Sequence, residues 1–324
     1  MTFVHLMMGC LVAMILVVVA MPRVIPVLHK LKFGQVEREE GLASHKAKGG
    51  TPTMGGVVFI LAAIIAVYVT HPQYFANAYV NIGALTFLMF GAIGFLDDFL
   101  IVVRHTNDGL SPIQKYGLQS LAAVIFYVLA WKFLPNFSTT ITIPLARTQV
   151  NLGFLYPVLV YFMFTAESNA VNLTDGLDGL AAGVTMIALA PFIIFALMEK
   201  VVPVAVFAVC VIGALIGFLF FNYHPAKIFM GDCGSLALGA LLAALAVFTK
   251  QELLLIVVGI VPLCETLSVI IQVTSFKLRK KRVFKMAPVH HHFEMCGWSE
   301  TQVVTAFYFA GFIAGLIGIL MGVL

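Results

Sequence analysis

The sequence predicts an all-α, polytopic integral membrane protein, and three observations support this fold class. First, 61% of the 324 residues are hydrophobic and 10% are charged, which leaves too little polar surface to cover a soluble globule. Second, long stretches such as 78–96, 204–221 and 302–324 contain no charged residue. Third, these stretches do not alternate between polar and apolar residues, as the strands of a membrane β-barrel do. A bundle of membrane-spanning helices is the class that remains.

About ten spans are expected, because a helix needs about 20 apolar residues to cross roughly 30 Å of hydrocarbon. They are predicted at 2–22, 53–70, 78–96, 116–134, 153–171, 179–198, 203–221, 234–249, 252–275 and 301–323. Pro262 and Glu265 interrupt the ninth of these, so this helix is expected to be broken or strongly tilted.

The basic residues predict the orientation of the spans. Of the 19 Lys and Arg residues, all but four fall in the odd-numbered connections, and the exceptions are Lys132, Arg147, Lys200 and Lys250. Positive charge is concentrated in the cytoplasmic connections of membrane proteins. The odd-numbered connections are therefore expected in the cytoplasm, with both termini on the outer side.

Two adjacent acidic residues, Asp97 and Asp98, end the third span on the predicted cytoplasmic side. A carboxylate close to hydrocarbon is costly, and two neighbouring carboxylates repel each other. A solvated position at the membrane interface explains one of them but explains two poorly. We therefore expect Mg²⁺ or a basic partner to compensate their charge.

Two stretches on the same side are rich in glycine. In residues 49–56, glycines would let the backbone approach a phosphate. Taken alone, however, this stretch is better explained as a plain helix entry capped by a threonine. In residues 221–235, Asp232 follows Gly231 at the entry to a span. An acid between glycines again suits a ligand, and an N-cap role for Asp232 is the competing explanation.

The stretch 169–180 combines acids, amides and glycines. Asp175 and Asp178 are three residues apart and share a face if the segment is helical, and Asn172 extends that face by one turn. No basic residue lies in this connection. Such a hairpin suits contacts to a metal or to a polar ligand such as a uracil or a sugar. A capped helix entry explains at most one of the two acids.

A long connection, 276–300, follows the ninth span. It begins with a basic run over 277–285, which fits a cytoplasmic position and attraction to anionic lipids. It continues with three consecutive histidines, His290, His291 and His292. Neighbours on a helix diverge by about 100°, so the three cannot face one metal. Phosphate binding or proton transfer is the better use for them.

Together these residues indicate an enzyme that joins a water-soluble reactant to a lipid. Its acids, lysines and histidines gather on one membrane face, and carboxylates with lysines suit Mg²⁺-bound phosphates. A transporter would instead place polar groups near the bilayer midplane and in two repeats. Glu167 and Glu265 are the acids within spans, and no internal repeat is visible. A cation or lipid transporter that uses the Asp cluster is the alternative from another class.

The motifs also resemble those of a known family. In chain order they are Thr-Pro-Thr-Met-Gly-Gly at 51–56, the Asp pair at 97–98, the Asn-to-Asp stretch at 172–178, Phe-Met-Gly-Asp at 229–232, Pro-Val-His-His-His-Phe-Glu at 288–294, and Gly-Trp-Ser-Glu at 297–300. In these the chain resembles the polyprenyl-phosphate N-acetylhexosamine-1-phosphate transferases, and more specifically their muramoyl-pentapeptide branch. Two positions depart from the family pattern: Ile101 stands where Lys is common, and Cys233 where Thr is usual.

The resemblance implies the reaction and its setting. Phospho-N-acetylmuramoyl-pentapeptide would pass from its UDP donor to undecaprenyl phosphate, giving UMP and lipid I for peptidoglycan synthesis. The enzyme would be a Mg²⁺-dependent homodimer in the bacterial cytoplasmic membrane, with its active site facing the cytoplasm and no nucleic-acid partner. One transferase domain, 1–324, would carry the site on cytoplasmic loops at 23–52, 97–115, 172–178, 222–234 and 276–300. A sibling that transfers N-acetylglucosamine-1-phosphate to the same lipid is the nearest alternative.

The resemblance also implies the roles of individual residues. The expected catalytic residues are Asp97, Asp98, Asp232, His290, His291 and His292, with Asp232 as the Mg²⁺ ligand. The expected substrate-binding residues are Lys48, Thr51, Lys115, Asn172, Asp175, Asp178, Asn222, Phe229 and Gly231. Asp98 is expected to position or deprotonate the lipid phosphate, and an Asp acting as a covalent nucleophile is the competing mechanism.

Overall fold

The computed structural model describes residues 3–30, 50–104, 109–135, 137–146 and 148–324, and most of these residues are helical. Within this part of the chain, eight helices are long and apolar enough to cross a membrane, judged by length and composition. The prediction of an all-α, polytopic membrane protein is confirmed.

Twelve α-helices are found in the described residues. They are α1 (Phe3–Lys30), α2 (Gly56–Thr70), α3 (Ala78–Arg104), α4 (Pro112–Phe133), α5 (Tyr156–Thr174), α6 (Leu180–Met198), α7 (Val202–Asn222), α8 (Gly231–Phe248), α9 (Leu254–Val258), α10 (Ile260–Arg279), α11 (Val289–Met295) and α12 (Glu300–Val323). Between α4 and α5 lies a small antiparallel hairpin of β1 (Thr140–Ile143) and β2 (Thr148–Asn151). The hydropathy pattern gives no indication of this hairpin, because its strands have four residues each.

A helix lies in each of the ten predicted spans. Besides the eight long apolar helices, these are α2, with 15 residues, and α5, with 19. The ninth span is broken, as predicted, but the break lies at Gly259, between α9 and α10, and not at Pro262. Pro262 stands in the first turn of α10, where its missing N–H would have no helical partner in any case.

The helix α8 lies at the centre of the bundle. Its residues from Cys233 to Phe248 are all buried, and it packs against α3 and α5. Glycines in neighbouring helices permit a close approach, because a methyl group added at Gly94 of α3 or at Gly56 of α2 would overlap the backbone of α8. The N-terminus of α8 is therefore held tightly against α2 and α3.

Gly94→Ala tests this packing. The added methyl group would overlap the main-chain oxygen of Asp232, and overpacking of this kind costs about 1–3 kcal/mol. We expect a lower midpoint of thermal unfolding for the purified protein in detergent. Gly117→Ala in α4 is the matched control, since its methyl group would meet nothing within 4 Å and Ala is favoured over Gly in a helix. A Gly94→Ala protein as stable as this control would contradict the close approach.

Candidate active site

The N-terminus of α8 is the centre of the candidate site. Gly231 begins the helix with a φ of +71°, and Asp232 follows in the first turn. The Asp98 carboxylate, from α3, accepts hydrogen bonds from the main-chain N–H groups of Asp232 at 3.2 Å and Cys233 at 3.1 Å. Asp98 therefore caps α8 from another helix. Asp232 is not the N-cap, so its carboxylate is left for other partners.

Lys115 joins the carboxylates of Asp97 and Asp232. Its Nζ atom contacts Asp232 Oδ2 and lies 3.4 Å from Asp97 Oδ2. The Leu110 N–H donates to Asp97 Oδ1 at 2.8 Å, which fixes this carboxylate beside the lysine. The Asp232 side chain is the most exposed of the three charged groups, at 24%. Because all three side chains are largely buried, solvent screens the attraction between the lysine and the two carboxylates only partly. The exposed part of Asp232 stays within reach of a ligand.

Helical geometry directs the two adjacent acids to different partners. α3 continues to Arg104, past the predicted end of the span, so Asp97 and Asp98 lie in a helix and not in a loop. Neighbouring side chains on a helix diverge by about 100°. Asp98 accordingly reaches α8, whereas Asp97 reaches the start of α4, where a capping box at Ser111 fixes the first turn next to Lys115.

Asn172, in the last turn of α5, completes the group around Asp232. Its amide donates to Asp232 Oδ1 at 2.8 Å and to Ser235 Oγ at 2.9 Å. Ser235 is missing from the predicted residues, because a buried serine in an apolar helix gives no sequence signal of function. The acid–lysine cluster is defined here as Asp97, Asp98, Lys115, Asn172 and Asp232.

The first glycine-rich stretch pairs with the stretch that precedes α8. The Phe229 N–H donates to Pro52 O at 2.8 Å, and the Gly55 N–H donates to Phe229 O at 2.9 Å. Phe229 is half-buried, and Thr51 directly precedes the paired proline. Predicted binding residues from two distant motifs are therefore neighbours. Lys48 lies outside the described residues.

The segment that carries Asp175 and Asp178 is a turn after α5 and not part of a helix. The helix ends before Asp175, and Gly179 has a φ of +79°, a conformation that glycine adopts readily. Asp175 and Asp178 therefore do not share a helical face. Asn222 holds the turn, since its Oδ1 accepts a hydrogen bond from the Gly179 N–H at 3.1 Å and its amide donates to Ile228 O at 2.9 Å.

A second polar group, made of Asp178, His224 and Glu300, lies next to this turn. The His224 Nδ1 atom is 2.9 Å from Asp178 Oδ2 and 3.2 Å from Glu300 Oε2. Their ligand atoms all lie within 4.8 Å of one another, so the group could hold a metal ion. The main-chain N–H of Ala226 donates a hydrogen bond to the Asp178 carboxylate. The main-chain N–H of Asp178 in turn donates one to the Glu300 carboxylate. These bonds clamp the turn to the loop before α8 and to α12.

The three consecutive histidines have three different neighbours. The Nδ1 atom of His290 lies 3.1 Å from Glu265 Oε2, and that of His291 lies 2.8 Å from Glu294 Oε2. The Nδ1 atom of His292 accepts a hydrogen bond from the Lys285 N–H at 3.1 Å. All three histidines lie on the short helix α11, where neighbouring side chains diverge. His290 is the buried member, and its ring lies against Gly176 in the turn after α5.

Three further residues near the site are not among the expected catalytic or binding residues. They are His224, Glu265 and Glu300. Glu265 does have a signal, because an acid within an apolar span is costly and implies a partner. His224 and Glu300 lie in stretches that the sequence singles out, but their pairing joins distant parts of the chain and has no local pattern.

The acid–lysine cluster fits a divalent cation of the Mg²⁺ type. Such ions prefer oxygen ligands, and oxygens of Asp97 and Asp232 already converge on one positive charge, the Lys115 ammonium. Asp98 is less suited as a ligand, because each of its oxygens accepts a main-chain hydrogen bond. The carboxylate of Asp232 could therefore hold such an ion, with that of Asp97 beside it.

Comparison with known proteins adds to this geometry. Residues 80–250 match glycosyl transferase family 4, and residues 48–60 match the phospho-N-acetylmuramoyl-pentapeptide-transferase signature 1. The phospho-N-acetylmuramoyl-pentapeptide-transferase of Staphylococcus epidermidis is 46% identical over 330 residues, which cover 100% of both chains. That of Staphylococcus aureus is 48% identical over 316 residues, which cover 97% of this chain and 98% of the relative.

The chain therefore belongs to glycosyl transferase family 4, whose match spans more than half of its length. More narrowly, its full-length similarity places it among the phospho-N-acetylmuramoyl-pentapeptide-transferases of that family. The resemblance inferred from the motifs is confirmed. The spanning helices and the bacterial relatives together identify a multi-pass bacterial membrane protein.

Proposed function

We propose that this chain transfers phospho-N-acetylmuramoyl-pentapeptide from its UDP donor to undecaprenyl phosphate, releasing UMP and forming lipid I in peptidoglycan synthesis. The observation that carries the proposal is the acid–lysine cluster, in which three aspartates and a lysine from three spanning helices meet. The cluster offers positive charge and metal ligands to two anionic reactants. The names of the full-length relatives supply the muramoyl-pentapeptide donor.

The obstacle to this reaction is electrostatic, because the lipid phosphate must approach a donor that already carries a negatively charged diphosphate. Lys115 and Lys48 are proposed to bind phosphate oxygens. Asp232 is proposed to hold Mg²⁺, which when bound neutralises charge on the donor phosphates and on the departing UMP. Asp98 fixes the main chain of Asp232. Asp97, whose Oδ2 lies beside Lys115 Nζ, is therefore better placed than Asp98 to position or deprotonate the lipid phosphate.

The nucleoside end of the donor is assigned to the turn after α5 and to the stretch before α8. The half-buried Phe229 ring can stack on uracil, while carboxylates and amides of the turn can bind its polar edge. The proposed binding residues of this region are Thr51, Asn172, Asp175, Asp178, Asn222, Phe229 and Gly231. The histidines His290, His291 and His292 are proposed to contact the donor phosphates or sugar.

The proposal includes the setting of the enzyme. The distribution of Lys and Arg favours a site on the cytoplasmic side of the bacterial inner membrane. One transferase domain, 1–324, would act as part of a homodimer. The homodimer stays a prediction from the family resemblance, and the mass of the purified protein in a mild detergent would check it.

Sealed inside-out and right-side-out membrane vesicles test donor and orientation in one assay. Both are supplied with Mg²⁺, undecaprenyl phosphate and either UDP-N-acetylmuramoyl-pentapeptide or UDP-N-acetylglucosamine, and UMP release is measured. We expect release with the muramoyl donor and from inside-out vesicles, because charged nucleotides do not cross the bilayer. Release with UDP-N-acetylglucosamine alone would contradict the donor, and release from right-side-out vesicles alone would contradict the orientation. Lipid or ion flux without UMP would favour a transporter.

A further inference from the structure

A pair of amides joins α4 to α5 one helical turn from the acid–lysine cluster. Gln119, in α4, is fully buried, and its Oε1 accepts a hydrogen bond from Asn169 Nδ2, in α5, at 2.7 Å. In the other direction, Gln119 Nε2 donates to Asn169 Oδ1 at 3.4 Å. Asn169 Nδ2 also donates to Thr165 O at 2.7 Å, which fixes this side chain against its own helix. The two amides therefore hold each other in one arrangement.

Each member of this amide pair shares a helix face with a member of the cluster. Gln119 follows Lys115 by four residues on α4, and Asn169 precedes Asn172 by three residues on α5. Residues three or four apart are neighbours on the surface of a helix. The faces of α4 and α5 that the amides join are therefore the faces that carry Lys115 and Asn172 to Asp232.

Lys115 and Asn172 hold the Asp232 carboxylate from two different helices. The lysine contacts Oδ2, whereas the Asn172 amide donates to Oδ1 at 2.8 Å. Both contacts form together only if α4 and α5 have the right separation and register at this level. Apolar packing further along the two helices, such as the contact between the Phe126 and Phe164 rings, is non-directional and does not by itself select a register. Directional hydrogen bonds between amides do select one.

We propose that Gln119 and Asn169 are positioning residues, which fix α4 against α5 so that Lys115 is held where it meets both the Asp232 carboxylate and a phosphate of the nucleotide. Gln119 has no exposed surface, so it acts through the lysine and not by touching a ligand. This inference rests on the proposed function for the identity of the ligand, but the contacts of the amide pair do not depend on it.

The competing explanation is that the amide pair only stabilises the bundle. The two explanations differ when both amides are removed together. A single Gln119→Leu or Asn169→Leu substitution leaves the other amide without its partner, so stability and positioning are both lost. In the double variant neither amide is left unpaired, so stability is largely restored, but two leucines do not select a register.

UDP binding to the purified full-length protein in detergent, measured by calorimetry, tests the inference without requiring turnover. The midpoint of thermal unfolding is measured in parallel. We expect each single variant to unfold at a lower temperature and to bind UDP about 10-fold more weakly, which is the lower end for a lost supporting contact. The double variant should regain most of the midpoint but keep the weaker binding. In a Lys115→Met background, the double substitution should not weaken binding further, because the group that it positions is gone.

Tyr68→Phe is the matched control, because the Tyr68 hydroxyl also donates a hydrogen bond between two helices, to Asn81 Oδ1 at 2.7 Å. This contact joins α2 to α3 at the end of α2 away from Gly56, so UDP binding should be unchanged. Normal UDP binding by the double-leucine variant, or an equal further loss in the Lys115→Met background, would overturn the inference. Wild-type protein that binds no UDP would overturn it together with the proposed function. Wild-type protein that binds UDP but releases no UMP from the muramoyl donor would count against the proposed function alone.

Discussion

Asp232→Asn is expected to lower the rate of UMP release about 10³-fold or more, while the protein stays folded. The substitution keeps the shape of the side chain but removes the negative charge that faces Lys115 and the proposed metal. Groups that neutralise charge in a transition state contribute factors of about 10²–10³ each, and loss of a metal ligand adds to this. The assay is UMP release from the muramoyl donor by purified protein over a range of Mg²⁺ concentrations.

Glu199→Gln is the control for this substitution, since Glu199 is an exposed acid at the opposite end of the bundle, directly after α6. Its activity should match that of the wild type. The capping of α8 by Asp98 does not use the Asp232 side chain, so the variant should also unfold at a similar temperature. Near-normal activity of Asp232→Asn at any Mg²⁺ concentration would refute the ligand role.

Lys115→Met is expected to reduce kcat/KM for the UDP donor about 10²-fold or more. Two effects combine: the donor loses a cation for its phosphates, and Asp97 and Asp232 face each other without the ammonium between them. The repulsion should also lower the midpoint of thermal unfolding. Added Mg²⁺ should restore more of the midpoint in the variant than in the wild type, because a divalent ion that binds the folded state takes over the lost charge.

Lys132→Met is the matched control, because Lys132 lies at the other end of the same helix and is exposed. It should change neither UDP-donor kinetics nor the response to Mg²⁺. If Lys115→Met kept the wild-type kcat/KM, the lysine would have no part in binding phosphate. If Mg²⁺ stabilised both proteins equally, the ammonium and the ion would not share a position.

The spans could be predicted from the sequence because the burial of about 20 apolar residues is a local property. The exact ends could not be predicted, since they depend on partners elsewhere in the chain. Asp97 and Asp98 mark the end of an apolar run, yet α3 continues through them to Arg104. The helix tolerates these acids there because the N-terminus of α8 and Lys115 compensate them.

The sequence predicts the kind of chemistry at the site better than it predicts which of its residues contact each other. Residue types and motifs indicate an acidic, phosphate-binding site, but an N-cap is normally sought within the same segment. Asp98 instead caps α8 from a different helix. Because this pairing has no local pattern, the sequence predicts a catalytic role for Asp98 and leaves an N-cap role open for Asp232. Glu265 and His290 are each conspicuous in the sequence, but nothing local shows that they meet.

The most direct test of the central claim is UMP release by the wild-type protein in a chelator. The claim is that Asp232, within the acid–lysine cluster, holds a divalent ion that the transfer between two anionic reactants requires. Purified protein with both substrates should stop releasing UMP in excess EDTA and should resume when Mg²⁺ is restored in excess. Release at the full rate in EDTA would contradict the account.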